Sequence, residues 1–143
     1  MNMKVSTRGR YSLRLLADIA SHQDEGPVSL NDTAKRQELS LKYLELLAAP
    51  LVKKGWLITT RGKNGGYQLA KPANEINVAD VLEVTDGLEP VECVSNGEYS
   101  QCDSRESCTT IGLWRGVTAV LHDYFAKISI ADLAAGKYKD ISE

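Results

Sequence analysis

A chain of 143 residues with 43% hydrophobic content is long enough for one packed domain, or for a small domain with an appended arm. No apolar run approaches the roughly 20 residues of a membrane helix, and no apolar segment marks the N-terminus as a secretory signal, so the expected location is cytoplasmic, with no membrane partner. The net charge of -2 hides a division: residues 1–75 hold twelve Lys/Arg against seven Asp/Glu, and residues 76–143 five against twelve. Only the first half attracts polyanions.

Ser6 or Thr7 precedes Tyr11, Leu13, Leu15, Leu16, Ile19 and Ala20, which recur at helical spacing and predict an amphipathic helix to about His22. Arg8, Arg10 and Arg14 lie near its start, where cations oppose the helix dipole and a phosphate would relieve them. Gln23 to Pro27 reads as a loop. Ser29 opens a short helix from Leu30 to Gln37, with Asp32 placed for a capping box. Glu38-Leu-Ser is a turn, and Ser40 caps the next helix, so the pair forms a helix-turn-helix.

In that second helix Leu41, Leu44, Leu47 and Leu51 are expected to face the core, leaving Lys42, Tyr43 and Glu45 on other faces. Side chains near the start of such a helix reach base edges in a major groove, and a carboxylate such as Glu45 accepts from cytosine N4. Pro50 lacks an amide and predicts a kink or a restarted turn before Gly55. Trp56 to Thr60 and Tyr67 to Ala70 have strand character. Between them Arg61, Gly62, Lys63 and Asn64, followed by two more glycines, make a basic tip that approaches a groove closely, and Arg61 suits a narrow minor groove. The glycines do not match a phosphate-binding loop. A helix followed by a basic hairpin is the winged-helix grip on duplex DNA.

Asn77 caps a helix carrying Val78, Val81, Leu82 and Val84 that ends at Asp86-Gly87. Glu89 to Cys108 is acidic and without period, and a loop of this length implies a function. Thr109 or Thr110 then opens a periodic segment of Ile111, Leu113, Trp114, Val117, Val120, Leu121, Tyr124 and Phe125, which is apolar on more than one face. A second copy of the chain is the simplest partner for it. Ser129 caps a last short helix, and the tail from Lys137 is expected to fray.

All three cysteines, Cys93, Cys102 and Cys108, fall in the acidic loop as C-x8-C-x5-C. An odd count in a chain without an export signal argues against a disulfide framework. Cys108 precedes a helix N-terminus, where thiolate is favoured. Thiolates ligate iron–sulfur clusters, but the spacing matches neither zinc pairs nor ferredoxin runs, so cluster, redox thiols and inert thiols all stay open on spacing alone.

The opening Val5-Ser-Thr-Arg-Gly-Arg-Tyr-Ser-Leu-Arg14, the segment Leu41-Lys-Tyr-Leu-Glu45, the tip Arg61-Gly-Lys-Asn-Gly-Gly-Tyr67, the three-cysteine loop and Leu113-Trp-Arg115 together resemble the IscR-type bacterial transcription regulators. The likeness runs over nearly the whole chain. It implies a mainly α fold with a small β-hairpin wing, that is, a winged helix-turn-helix plus a long C-terminal dimerisation helix. It implies a homodimer that reads palindromic double-stranded promoter DNA, and a [2Fe-2S] cluster on Cys93, Cys102 and Cys108. By the same resemblance Ser40, Tyr43 and Glu45 face DNA, Glu45 discriminates between promoters, and Arg61 enters the minor groove. Cluster-assembly proteins are candidate partners.

Residues 1–75 are read as the DNA-binding domain and 76–143 as the cluster loop and dimerisation helices. The usual pattern of the family, C-x5-C-x5-C with a histidine three residues later, is broken here by a first gap of eight and by Ile111 in the histidine position. Nitric-oxide-sensing relatives take an acidic ligand from the first helix, but the matching position holds Arg10. Glu92, Glu98, Asp103, Glu106 or an exogenous group remain for the fourth position. His122 and His22 read as ordinary helix and surface residues. Regulators of the CymR kind share the fold without a cluster, and make a metal-free regulator that senses thiol redox state or docks a metabolic enzyme the alternative. Neither a nucleophile–base pair nor clustered acids support an enzyme.

Overall fold

Each of the first three helices starts where a serine hydroxyl can answer the orphan amides of the opening turn. Ser6 Oγ accepts from the Gly9 amide at 3.1 Å and opens α1, Thr7–His22. Ser29 Oγ accepts from the Asn31 amide at 3.1 Å and opens α2, Leu30–Gln37, so the cap runs through Asn31 rather than Asp32. Ser40 Oγ accepts from the Tyr43 amide at 3.1 Å and opens α3, Leu41–Lys53. The computed structural model describes residues 5–85, 87 and 107–140. The turn between α2 and α3 passes through Glu38 in the left-handed region, φ 56°. Gln23–Glu25, expected as loop, forms a 3-10 turn.

α3 continues through Pro50 to Lys53 as one helix, so of the kink or restarted turn expected there the restart does not occur. Pro50 removes one amide, and the carbonyl it leaves unmet belongs to Leu46 on the solvent face. Meanwhile Leu47, Ala48 and Leu51 anchor both sides of the proline in the core. Leu41, expected in the core, is exposed; it opens the helix and reaches past the packed layer.

Gly55, with φ 88°, ends the helical path, and β1, Leu57–Thr60, pairs antiparallel with β2, Gly66–Leu69, in the register Leu57 to Leu69. Val28 adds one further rung: its amide and carbonyl exchange 2.8 Å bonds with Tyr67. This docks the wing on the segment before α2. The close approach needs Gly66, because a Cβ there would collide with the Val28 carbonyl; at Gly65 a Cβ would collide with the Thr60 carbonyl. Gln23 Oε1 also accepts from the Leu69 amide at 2.8 Å, tying the wing to the end of α1.

α4, Val78–Thr85, starts with the Asp80 amide on Asn77 Oδ1 at 2.9 Å. α5 is Ile111–Ala126, and α6 is Ile130–Ala134 with a full capping box between Ser129 and Asp132. Lys137 Nζ donates to Asp132 Oδ1 at 2.8 Å and, with the bonds from the Ser129 amide and hydroxyl, draws that carboxyl down to about 2. The segment read as frayed is therefore tied back as far as Lys139, whose amide reaches the Gly136 carbonyl at 3.3 Å.

One core joins Leu15, Leu16 and Ile19 of α1, Leu44, Leu47 and Leu51 of α3, and Trp56 and Leu57 at the root of the wing. Ile76, Val81 of α4 and Ile130 of α6, all beyond residue 75, are buried in the same cluster. A second cluster of Val78, Ala79, Leu82 and Ile128 carries Phe125 of α5 on its flank.

Candidate nucleic-acid interface

Burial divides α3 cleanly. Leu44, Leu47, Ala48 and Leu51 are buried, and Lys42, Glu45, Leu46, Ala49 and Lys53 are exposed on the opposite side. A helix of period 3.6 with one packed stripe presents the other as a ridge. The core thus fixes which α3 side chains a duplex can meet.

Ser40, Lys42 and Glu45 lie exposed at the start of this ridge, as expected. Ser40 has its oxygen engaged by the Tyr43 amide, which leaves its O–H as a donor toward a phosphate. Tyr43 is half-buried and meets Tyr11 of α1 edge-on, with ring centroids 6.0 Å apart at 90°. Its ring therefore belongs partly to the core, and Tyr11 sets its posture. The Arg10 and Arg14 guanidiniums lie 5.7 and 5.2 Å from the Tyr11 centroid. Arg14 is committed further: Nε donates to Gln37 Oε1 at 3.0 Å and a terminal nitrogen to the Gln37 carbonyl at 2.7 Å. It closes the end of α2, the negative pole of that helix dipole.

The same corner holds a buried carboxylate. Asp18, 1% exposed in its side chain, accepts from Thr33 Oγ1 at 2.8 Å, from Arg36 Nε at 2.9 Å and a second Arg36 nitrogen at 2.8 Å, and from Gln37 Nε2 at 3.0 Å. Burial pushes this carboxyl up, but the hydrogen bonds from Arg36, Thr33 and Gln37 and the Arg36 charge outweigh it and hold it below the usual carboxylate range. The network clamps α2 to α1 and so sets the platform from which α3 projects. Sequence reading missed it, because Asp18 and its partners on α2 are 15 to 19 residues apart in the chain, with no local motif to join them.

Arg61, Gly62, Lys63 and Asn64 are all exposed at the tip of the wing, beyond the last rung of the hairpin, and Gly62 has φ 110°. The Gly65 amide closes the tip on the Gly62 carbonyl at 3.0 Å. Two mobile-headed cations on a short, fixed backbone turn can follow a phosphate strand or enter a groove.

Of the cysteines, Cys93 and Cys102 lie outside the described residues. Cys108 is described: its Sγ lies 3.3 Å from Thr110 Oγ1, just before α5. The Thr110 hydroxyl first, and the Thr110 and Ile111 amides after it, lower the thiol pKa and favour thiolate. Ile111 begins α5 with an apolar side chain and offers no ligand. Among the described residues no group of three His, Cys, Asp or Glu side chains is placed to hold a metal. His122 Nε2 lies 3.5 Å from Glu83 Oε1 of α4, with both side chains about half-exposed. No described helix is long and apolar enough to cross a membrane.

A helix-turn-helix whose second helix offers an exposed ridge, followed by a basic hairpin, defines a winged-helix DNA-binding protein of the regulator class. Residues 5–136 match the family model of Rrf2, described as an iron-dependent transcriptional regulator. The chain is 42% identical over 132 residues to the protein Rrf2 of Nitratidesulfovibrio vulgaris, covering 92% of this chain and 87% of that one. It is 37% identical over 135 residues to the HTH-type transcriptional regulator IscR of Pectobacterium atrosepticum, covering 94% and 81%. Among solved structures, IscR of T. potens superposes with a TM-score of 0.75 at 33% identity over 98% of this chain and 92% of that one. CymR, the global cysteine regulator of B. subtilis, superposes with a TM-score of 0.74 at 32% identity over 96% and 98%. The chain belongs to the Rrf2 family of DNA-binding transcription regulators, and its relatives are regulators rather than enzymes.

Proposed function

We propose that the protein is a homodimeric regulator of palindromic promoter sites, governed by an iron–sulfur cluster on Cys93, Cys102 and Cys108. The observations that carry the DNA-reading part are the exposed ridge of α3 and the exposed cations of the wing tip. Ser40, Lys42, Tyr43 and Glu45 face a major-groove half-site, and Arg61, Gly62, Lys63 and Asn64 meet the adjoining groove. Arg61 does this through its cation, which a narrow minor groove attracts. Arg61→Ala is expected to weaken operator binding by on the order of 1–3 kcal/mol, read as a five- to 150-fold rise in Kd by fluorescence anisotropy at fixed salt. An unchanged Kd would remove the wing from the interface.

The donor chemistry supports the cluster. Cys108 is a half-exposed thiol biased toward thiolate, as a ligand to iron must be, and two further thiols belong to the same loop. When bound, a cluster would supply a redox-sensitive cross-link among these thiolates, which lie in sequence between α4 and α5. Val81 of α4 shares a core with Leu44, Leu47 and Leu51 of α3, so a shift at α4 reaches the reading helix through packed side chains. Ile111 in place of a histidine, and the close likeness to CymR, favour a second reading: a metal-free regulator with redox-active thiols.

Anaerobic purification separates the two. A coloured protein with iron and acid-labile sulfide, whose affinity for promoter duplex changes when the cluster is removed, is the expected result. A colourless protein with three free thiols and full operator affinity supports the metal-free reading instead.

A further inference from the structure

Leu46 is 65% exposed, against 36% for Leu41 on the same helix and 49% for Ile58 on the wing. It lies four residues after Lys42 and seven before Lys53, so at 3.6 residues per turn all three fall on one line of α3. That line is opposite the buried Leu44, Leu47 and Leu51. The outermost ridge of the reading helix is therefore a leucine flanked by two cations, with Ala49 one turn beyond it. Lysines there suit the phosphates that wall a major groove. An apolar side chain between them finds only one apolar feature on the floor of the groove, the 5-methyl group of thymine.

We propose that Leu46 is a specificity-determining residue that packs on a thymine methyl in each half-site, next to the base faced by Glu45. The inference rests on the reading of α3 as the major-groove helix given above. Glu45 selects by charge and hydrogen bonding, and Leu46 by shape and desolvation. Together they specify a cytosine and a thymine at neighbouring positions.

The test uses the full-length protein and a half-site defined by selection from random duplexes. Each thymine is then replaced by deoxyuridine, which keeps the base pair and removes only the methyl group. Wild-type affinity is expected to fall about fourfold at one thymine of each half-site, the equivalent of about 0.8 kcal/mol for one buried carbon. Leu46→Ala, a surface change expected to leave the melting temperature alone, should bind the thymine and uracil duplexes equally. A half-site without thymine, a wild-type protein blind to every uracil substitution, or an alanine variant that keeps the wild-type thymine-to-uracil ratio each overturns the assignment while leaving the major-groove reading intact. Failure to retain any duplex at low salt overturns both.

Discussion

Asp18→Ala is expected to destabilise the protein by about 2 kcal/mol, within the cost of orphaning a buried hydrogen-bonding group. Asp18 is the one charged group sealed in the core among the described residues, and it serves three side chains of α2. Two of them have an escape once it is gone. The Arg36 side chain is 33% exposed and can turn to water, and Gln37 lies near the surface. Thr33 is fully buried, and its hydroxyl would lose its acceptor. One orphaned buried hydroxyl costs about 1–3 kcal/mol, and the loosened α1–α2 contact adds to it. Against a total of roughly 5–15 kcal/mol for a domain of this kind, that is a large share. Urea unfolding checks it; a change below about 1 kcal/mol would mean that the clamp contributes little.

The same residue predicts a pH dependence. Its folded pKa is depressed, so its contribution is fully present above the ordinary carboxylate value near 3.9 and is lost as pH falls through the lower folded value. Wild type should therefore lose stability in that acid window more steeply than Asp18→Ala. Parallel acid profiles for the two would contradict the assignment.

This network also marks where sequence reading stops. The helix starts were legible, since Ser6, Ser29, Ser40, Asn77 and Ser129 all act within three residues of themselves. The wing was legible for the same reason: a hairpin and its glycines are local. Asp18 with Thr33, Arg36 and Gln37 is not local, and nothing around Asp18 announces its partners. The unbroken path through Pro50 was not legible, because a proline's intrinsic penalty says nothing of the core that holds Leu47 and Leu51 on either side of it. Leu46 is not marked by residue type, since a leucine in a helix reads as core. The alternation of buried and exposed positions, already implied by Leu44, Leu47 and Leu51, was the signal that would have placed it outward. Cys93 and Cys102 are marked by residue type and spacing alone, and they lie outside the described residues.

Val120→Glu is expected to turn the protein into a monomer and to abolish tight binding to a palindromic duplex. In a single chain α5 buries no residue fully. Phe125 leans on the second core cluster, but Leu113, Val120 and Tyr124 are exposed by 59%, 68% and 55%, and with Val117 they follow the spacing of one helical face. A large apolar stripe left open on a regulator reads as an interface, and a twofold one brings each residue near its own copy. A carboxylate at the centre of the stripe then enters twice. One uncompensated buried charge costs about 3–5 kcal/mol, so dimer affinity should fall at least about a thousandfold.

The monomer itself should keep its fold, because Val120 touches solvent there, and circular dichroism should be unchanged. Half-site binding should survive weakly, since α3 and the wing remain intact, while the gain from joining two half-sites through one assembly disappears. Sedimentation equilibrium and anisotropy on palindromic and half-site duplexes together test this. A dimeric variant with wild-type affinity for the palindrome would place the subunit contact elsewhere than on this face of α5.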